Sequence, residues 1–445
     1  MTDESTDVAV VGGGLSGLAA ARRCHRGGVD VRLFEARDSV GGKVETRTVG
    51  GVRVEMGAGW IGPDQERMDA LAEEFEVPRL GQRAAGEALC RAAGHEGADE
   101  SVFAALPDPA HAELVAAVDV LDARASADPA PEADDRTVGD WADAHLDHPA
   151  GRAAFESLVR SVLCADSHEV SLAFLDAFGA AVGGLSETTS VGGHAEALTT
   201  ALDGVSAIPE GIAAELGGRV RTGEPVRRIE HGDGGATLHT DARRCRARRV
   251  VVALPPAMAA RVAYDPPLPP ARTELGQRLP NGAVLKCAVV YDAPFWREAG
   301  LSGQVVDADG PVDSWFDATR DPAEAGVLFG LTGGSNARAL ADLSTDRRRE
   351  RVLDALVDLF GDAAASPRAY DDVPWTAEPW IHGAYAAYAP PGAMRNWGVR
   401  SDPVGPLHWA ASETAEAWYG HLDAEATHVP HLVLHGVRIL TAMNR

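Results

Sequence analysis

Lysine is almost missing from this chain: Lys43 and Lys286 are the two lysines among 41 basic side chains, and the rest are arginine. Basic charge as a whole is also short. Against 66 acidic residues it leaves a formal net charge of -25. That balance repels phosphate backbones and anionic lipid, which argues against nucleic-acid and membrane partners. Cysteine is sparse: Cys24, Cys90, Cys164, Cys245 and Cys287 are scattered, odd in number and form no CxxC pair. A disulfide framework is therefore not expected, and the thiols read as reduced and buried. No uninterrupted apolar run reaches the ~18 residues of a membrane span. The opening MTDESTD has no basic stretch or cleavage site, so a cytoplasmic protein is expected. GxSxG, HExxH and paired-carboxylate motifs are lacking, which leaves hydrolysis without support. His428, His431 and His435 share a helical spacing, but no cysteine or carboxylate completes a metal set.

What is present points to a soluble globule of more than one domain: 445 residues, 45% apolar and 24% charged. The arginine-heavy, acidic, alanine-rich makeup fits a high-GC genome and a salt-tolerant, halophilic host. The clearest local signal is at residues 7–35, DVAVVGGGLSGLAAARRCHRGGVDVRLFE, which reads as strand, glycine turn, helix, strand. Gly12, Gly14 and Gly17 fill GxGxxG between a strand at Val8–Val11 and a helix beginning near Leu15 and Ser16. Backbone N–H groups and the helix N-terminus there can hold a pyrophosphate. Glu35 ends the second strand at the spacing of a carboxylate that accepts from a ribose diol. Together these features define a dinucleotide site.

Further along, residues 66–200 look helical, with a surface loop at 126–135. Residues 208–217 predict a helix, 219–229 a strand pair, and 248–256 a buried strand ending at a proline turn. AVLKCAVVY (283–291) alternates as a strand, and 345–361 is an amphipathic helix with Val352, Leu356 and Leu359 on one face.

The dinucleotide unit does not separate NAD from FAD. Downstream motifs do: VVGGGLSGLAAA, EARDSVGGK, EMGAGWIGP, GEPVRRI, VVVALPP, LKCAVVYDAPFW, WIHGAYAAYAPPGAM and HWAASETAEAWYGH. With these the chain resembles the flavin amine oxidases of the monoamine oxidase type. The resemblance implies an α/β fold, in which a Rossmann-like FAD-binding domain (1–80, 204–280, 392–445) interleaves with an α+β substrate domain (81–203, 281–391), a mixed sheet plus helices. It places Gly12, Gly14, Leu15, Ser16, Gly17, Glu35, Ala36 and Arg37 on the ADP half of FAD, with Gly42 and Lys43 near phosphate. Gly57, Ala58, Gly59 and Trp60 pass the flavin ring, and Val226 pairs its backbone with adenine. Ser412 and Glu413 meet the pyrophosphate or ribityl region, and Trp380 joins the cofactor set, with Trp375, Trp418, Tyr419, Trp315 and Phe316 as unranked aromatics near the pocket.

For chemistry, the resemblance implies that Lys286 holds a water at flavin N5 and assists reoxidation by O2, and that Tyr385 is one wall of an aromatic cage for the amine. The second wall, tyrosine in the family, is His421 here. A neutral histidine could hydrogen-bond substrate, a protonated one would repel an ammonium, and a packing role is the plain alternative. Ala384 stands where some relatives carry a cysteine linked to FAD, so FAD is expected to be non-covalent. Lys43 replaces arginine and Ala411 replaces glycine, and Pro430 interrupts the expected C-terminal helix. The implied reaction is oxidation of a primary or secondary amine to an imine, with H2O2 as coproduct; a homodimer is left open. Two rivals stand beside it: a desaturase or oxidase of polyenes or tetrapyrroles on the same scaffold, and a non-catalytic flavin-binding protein.

Overall fold

The computed structural model describes residues 2–427 except 63, 82–84, 187, 188, 190, 192–199 and 322–324. The segment with Pro430, His428, His431 and His435 lies outside the described residues.

The N-terminal unit forms as its pattern requires. Strand β1 (Thr2–Val11) is longer than expected from sequence and buries Val8 to Val11, both faces being covered as in a central parallel strand. Helix α1 (Leu15–Arg26) follows, burying Leu15, Leu18, Ala21 and Cys24, with Arg23, His25 and Arg26 in its last turn where the dipole favours cations. Strand β2 (Val31–Phe34) runs parallel to β1. Arg22 leaves α1 to bond Glu74 and Glu215, tying it to helices Glu66–Glu74 and Ala207–Leu216.

These strands sit in an eight-stranded sheet whose path runs through 220–221, β2, β1, 243–252, 235–240, 226–232 and 263–265, with 407–409 paired to 243–252. The expected strand pair at 219–229 is two strands at separate places in this sheet: Val220–Arg221 joins β2, while Val226–Gly232 joins 235–240. A second, seven-stranded sheet runs 369–374, 284–291, 326–333, 314–317, 301–307, 87–92, 95–99. The expectation of helix throughout 66–200 is corrected here. Strands Glu87–Ala92 and His95–Asp99 interrupt it, because Ala88, Cys90 and Ala92 are buried beneath helices Asp108–Arg124 and Pro149–Leu163. The loop at 126–135 is also not all surface: it closes as a 3-10 turn at Pro131–Asp135, and buried Asp134 accepts from Ser171 Oγ and Met394 N.

Strand Val284–Tyr291 lies inside the second sheet with every residue buried. Its period of two still decides function. Leu285, Cys287, Val289 and Tyr291 pack toward helix Thr345–Phe360, whereas Val284, Ala288 and Val290 pack with Val49, Val54, Met56 and Trp375. Lys286 belongs to the second set by parity.

Candidate active site

The glycine turn is shaped by contacts that leave no room for side chains. A Cβ at Gly17 would lie 1.9 Å from the Gly12 carbonyl oxygen, and one at Gly12, where φ is +104°, would lie 2.6 Å from the Ala253 oxygen. Glu35, 7% exposed, reaches back into the turn: Oε2 accepts from Gly13 N at 2.6 Å and Oε1 from Arg37 N at 2.8 Å. The acidic residue thus braces the loop and stands at the end of β2, beside half-buried Ala36. Arg37 donates to the Gly42 carbonyl at 2.7 Å, and segment 221–224 is hydrogen-bonded across to residues 35 and 37, which brings Val226 beside this end of the sheet. A bare backbone cradle, a helix N-terminus and a buried carboxylate fit the ADP half of a dinucleotide.

A cavity of about 750 Å³ opens next to it. It brings together Lys43, Gly57, Ala58, Gly59, Trp60, Lys286, Trp375, Tyr385, Trp418, Tyr419 and His421, drawn from distant parts of the chain. Lys286 Nζ donates to the Gly57 carbonyl at 3.1 Å and lies 4.6 Å from the Phe329 ring centroid and 5.8 Å from that of Trp60. Burial lowers its pKa to about 8, opposed by the charge of Glu55. Glu55 is itself held by Gly204 N at 2.6 Å and the Thr46 hydroxyl at 2.7 Å. A Cβ at Gly57 would meet the Lys43 carbonyl oxygen at 2.1 Å, so this close backbone approach is closed to any larger residue.

Lys43, expected near phosphate, makes two contacts within the chain. Its ammonium donates to the Tyr385 carbonyl at 2.5 Å and pairs with Glu413 at 3.6 Å. Glu413, 2% exposed, also accepts from Ala387 N at 3.2 Å and from Ser412 Oγ at 3.1 Å, so it fastens segment 384–387. Tyr385 packs beside the cavity with its hydroxyl against the Cys164 thiol, and burial holds its pKa well above the ordinary phenol value.

His421 is in the cavity wall, immediately before helix Leu422–Thr427. Its Nδ1 lies 3.0 Å from the Tyr419 carbonyl oxygen, and its ring stacks on Phe178 at 6.4 Å and meets Trp418 edge-on at 5.6 Å. Burial moves its pKa down.

Trp380 and Trp375 take different places. Trp380 is outside the cavity wall and takes the Arg227 guanidinium over its ring at 5.2 Å; Trp375, five residues earlier, is the one that lines the cavity, its indole N–H donating to the Met56 carbonyl at 3.1 Å. Alternation likewise sends Phe316 into the cavity and Trp315 into the core. Phe174, Phe178, Ser161, Gln65 and Asp64 also line it and were missed. Only the tertiary position of helices Pro149–Leu163 and Leu172–Val182 could have revealed the first three. All five cysteines are free and buried. Among the described residues no cluster could hold a metal, and no helix is long and apolar enough to cross a membrane.

A dinucleotide cradle leading to an apolar cavity with a buried lysine defines a flavin-dependent oxidoreductase. The chain belongs to the flavin containing amine oxidoreductases, whose family model matches residues 15–424, and its cofactor is FAD. AofH of Mycobacterium tuberculosis, which carries the name of a flavin-containing monoamine oxidase, is 33% identical over 94% of each chain. An L-amino acid dehydrogenase of Synechocystis is 32% identical, covering 94% of this chain and 92% of its own. The structure of wild-type putrescine oxidase bound to putrescine superposes with a TM-score of 0.90 at 29% identity, over 99% of this chain and all of the other. The protein is an FAD-dependent amine-oxidising enzyme, and neither rival is favoured by these relatives.

Proposed function

We propose that the substrate is a primary or secondary monoamine bearing an apolar aryl or cycloalkyl group. The observation that carries this is the cavity wall. Trp60, Phe174, Phe178, Phe316, Leu331 and Trp418 are among its apolar residues, and Asp64, exposed, is the single carboxylate among its described residues. A second ammonium finds no buried counter-charge there and meets the cation of Lys286. A substrate carboxylate finds no arginine among the described residues of the wall, and Lys43 is already engaged by Glu413 and the Tyr385 carbonyl.

When bound, FAD would supply the acceptor for a hydride from the amine's α-carbon, with O2 as the oxidant that restores it and H2O2 as the product. The chain's own residues prepare this. The aromatic wall excludes water and orients the α-carbon. Tyr385 offers its ring to the amine, and Lys286, held by Gly57, places positive charge where negative charge develops as oxygen is reduced. Ala384 offers no thiol, which supports a non-covalent cofactor. Segments 1–80, 204–280 and 392–445 form the FAD-binding domain and 81–203 and 281–391 the substrate domain; the support is that the eight-stranded sheet draws its strands from the first set and the seven-stranded sheet from the second. The free buried thiols and acidic balance support a cytoplasmic setting in a salt-rich cell.

Anaerobic mixing with a panel of amines tests the substrate class. Arylalkyl or cycloalkyl amines should bleach the flavin faster than putrescine or amino acids at equal concentration. Preference for the diamine or for an amino acid would overturn it.

A further inference from the structure

An amine meets this enzyme near neutral pH mainly as an ammonium ion, yet only the neutral amine has the nitrogen lone pair that assists loss of hydride from carbon. A group in the cavity that takes the proton would remove this obstacle. His421 has the required form. A carbonyl oxygen can only accept, so the 3.0 Å contact between Nδ1 and the Tyr419 carbonyl fixes the proton on Nδ1 and leaves Nε2 as a basic nitrogen. The ring cannot turn freely, being stacked on Phe178 and abutted by Trp418.

We propose that His421 Nε2 is the base that deprotonates the bound ammonium substrate. The inference rests on the amine-oxidation reading and deepens it. In the step, an N–H bond of the ammonium breaks, the proton goes to Nε2, and the electron pair stays on the amine nitrogen. The α-carbon then loses its hydride to FAD, the iminium leaves and is hydrolysed, and the His421 proton returns to water.

The groups around His421 are consistent with a neutral resting ring. Lys286 lines the same cavity and is held by the Gly57 carbonyl, and Lys43 is engaged elsewhere. Asp423, on the helix that follows, favours the protonated ring and so opposes burial, while its Oδ1 is held at 2.9 Å by both Arg67 N and Met68 N; Asp176, on the helix of Phe178, is paired with Arg124 at 2.7 Å. Asp64 is exposed, and the Tyr385 and Tyr419 phenols are held protonated by burial.

The test compares the unaltered holoenzyme with His421→Phe, which keeps the ring stack and removes the base. At pH 7 anaerobic bleaching by an apolar amine should slow about 100-fold. The rising limb of its pH profile should move from the acid side of histidine's ordinary value of about 6.5 to the pKa of the amine itself. Calorimetry of a non-oxidisable tert-alkylamine in two buffers of different ionisation enthalpy gives an independent readout. At pH 7 the unaltered protein should release about one proton per amine bound, because His421 passes the substrate's proton on to water, and the variant, which binds the ammonium intact, should release none. If His421→Phe loses FAD, His421→Asn carries the same expectations. Bleaching by amines in both proteins with one common pH profile, or equal proton counts, overturns the base. Failure of every amine to bleach the unaltered enzyme overturns the amine reading and the base with it.

Discussion

Lys286 shows how one side chain acquires chemistry from its surroundings. In water it would be a solvated cation; here it is 8% exposed, hydrogen-bonded to Gly57 and faced by two aromatic rings. Lys286→Met preserves the packing volume and removes the charge, so FAD should remain bound while reoxidation by O2 slows on the order of 100-fold in stopped-flow mixing. The pH dependence has a definite sign. The ammonium is present below its pKa of about 8 and is lost above it, so reoxidation in the unaltered enzyme should fall as pH rises through about 8. In Lys286→Met that step should vanish. Tyr385 acts through two different atoms: its carbonyl receives Lys43, which any residue would provide, and its ring faces the cavity. Tyr385→Ala should therefore raise KM for the amine more than it changes FAD content, and loss of FAD would assign the ring a structural role instead.

At the scale of elements, the glycine turn between β1 and α1 is a packing solution. The helix start approaches the preceding strand so closely that even a methyl group at residue 17 would overlap the Gly12 carbonyl oxygen. Gly17→Ala should displace the turn and yield protein depleted of FAD, measured as the flavin-to-protein absorbance ratio. The turn and both flanking elements were legible because GxGxxG, the apolar strand and Glu35 are local signals. Strand Val284–Tyr291 was legible too, although its complete burial was not, since alternation looks the same whether one or both faces are covered. Strands at 87–99 were misread as helix because alanine favours helices, and burial beneath two helices overrode that preference.

For the whole molecule, a charge of -25 imposes self-repulsion that numerous surface ion pairs only partly relieve. Screening shortens from about 10 Å at 0.1 M salt to about 3 Å at 1 M. The melting temperature should accordingly rise between those concentrations in a fluorescence-monitored melt, and a fall would show that the ion pairs outweigh the repulsion. Sequence by itself determined the dinucleotide unit, the flavin amine oxidase resemblance and the candidacy of Lys286, because these reside in short spacings that local sterics enforce. Tertiary structure alone decided that Trp375 and not Trp380 enters the cavity, that Lys43 and Glu413 bind each other, and that His421 has its proton on Nδ1. Each of those depends on which partner the folded chain brings within hydrogen-bonding reach, and no local pattern encodes that distance.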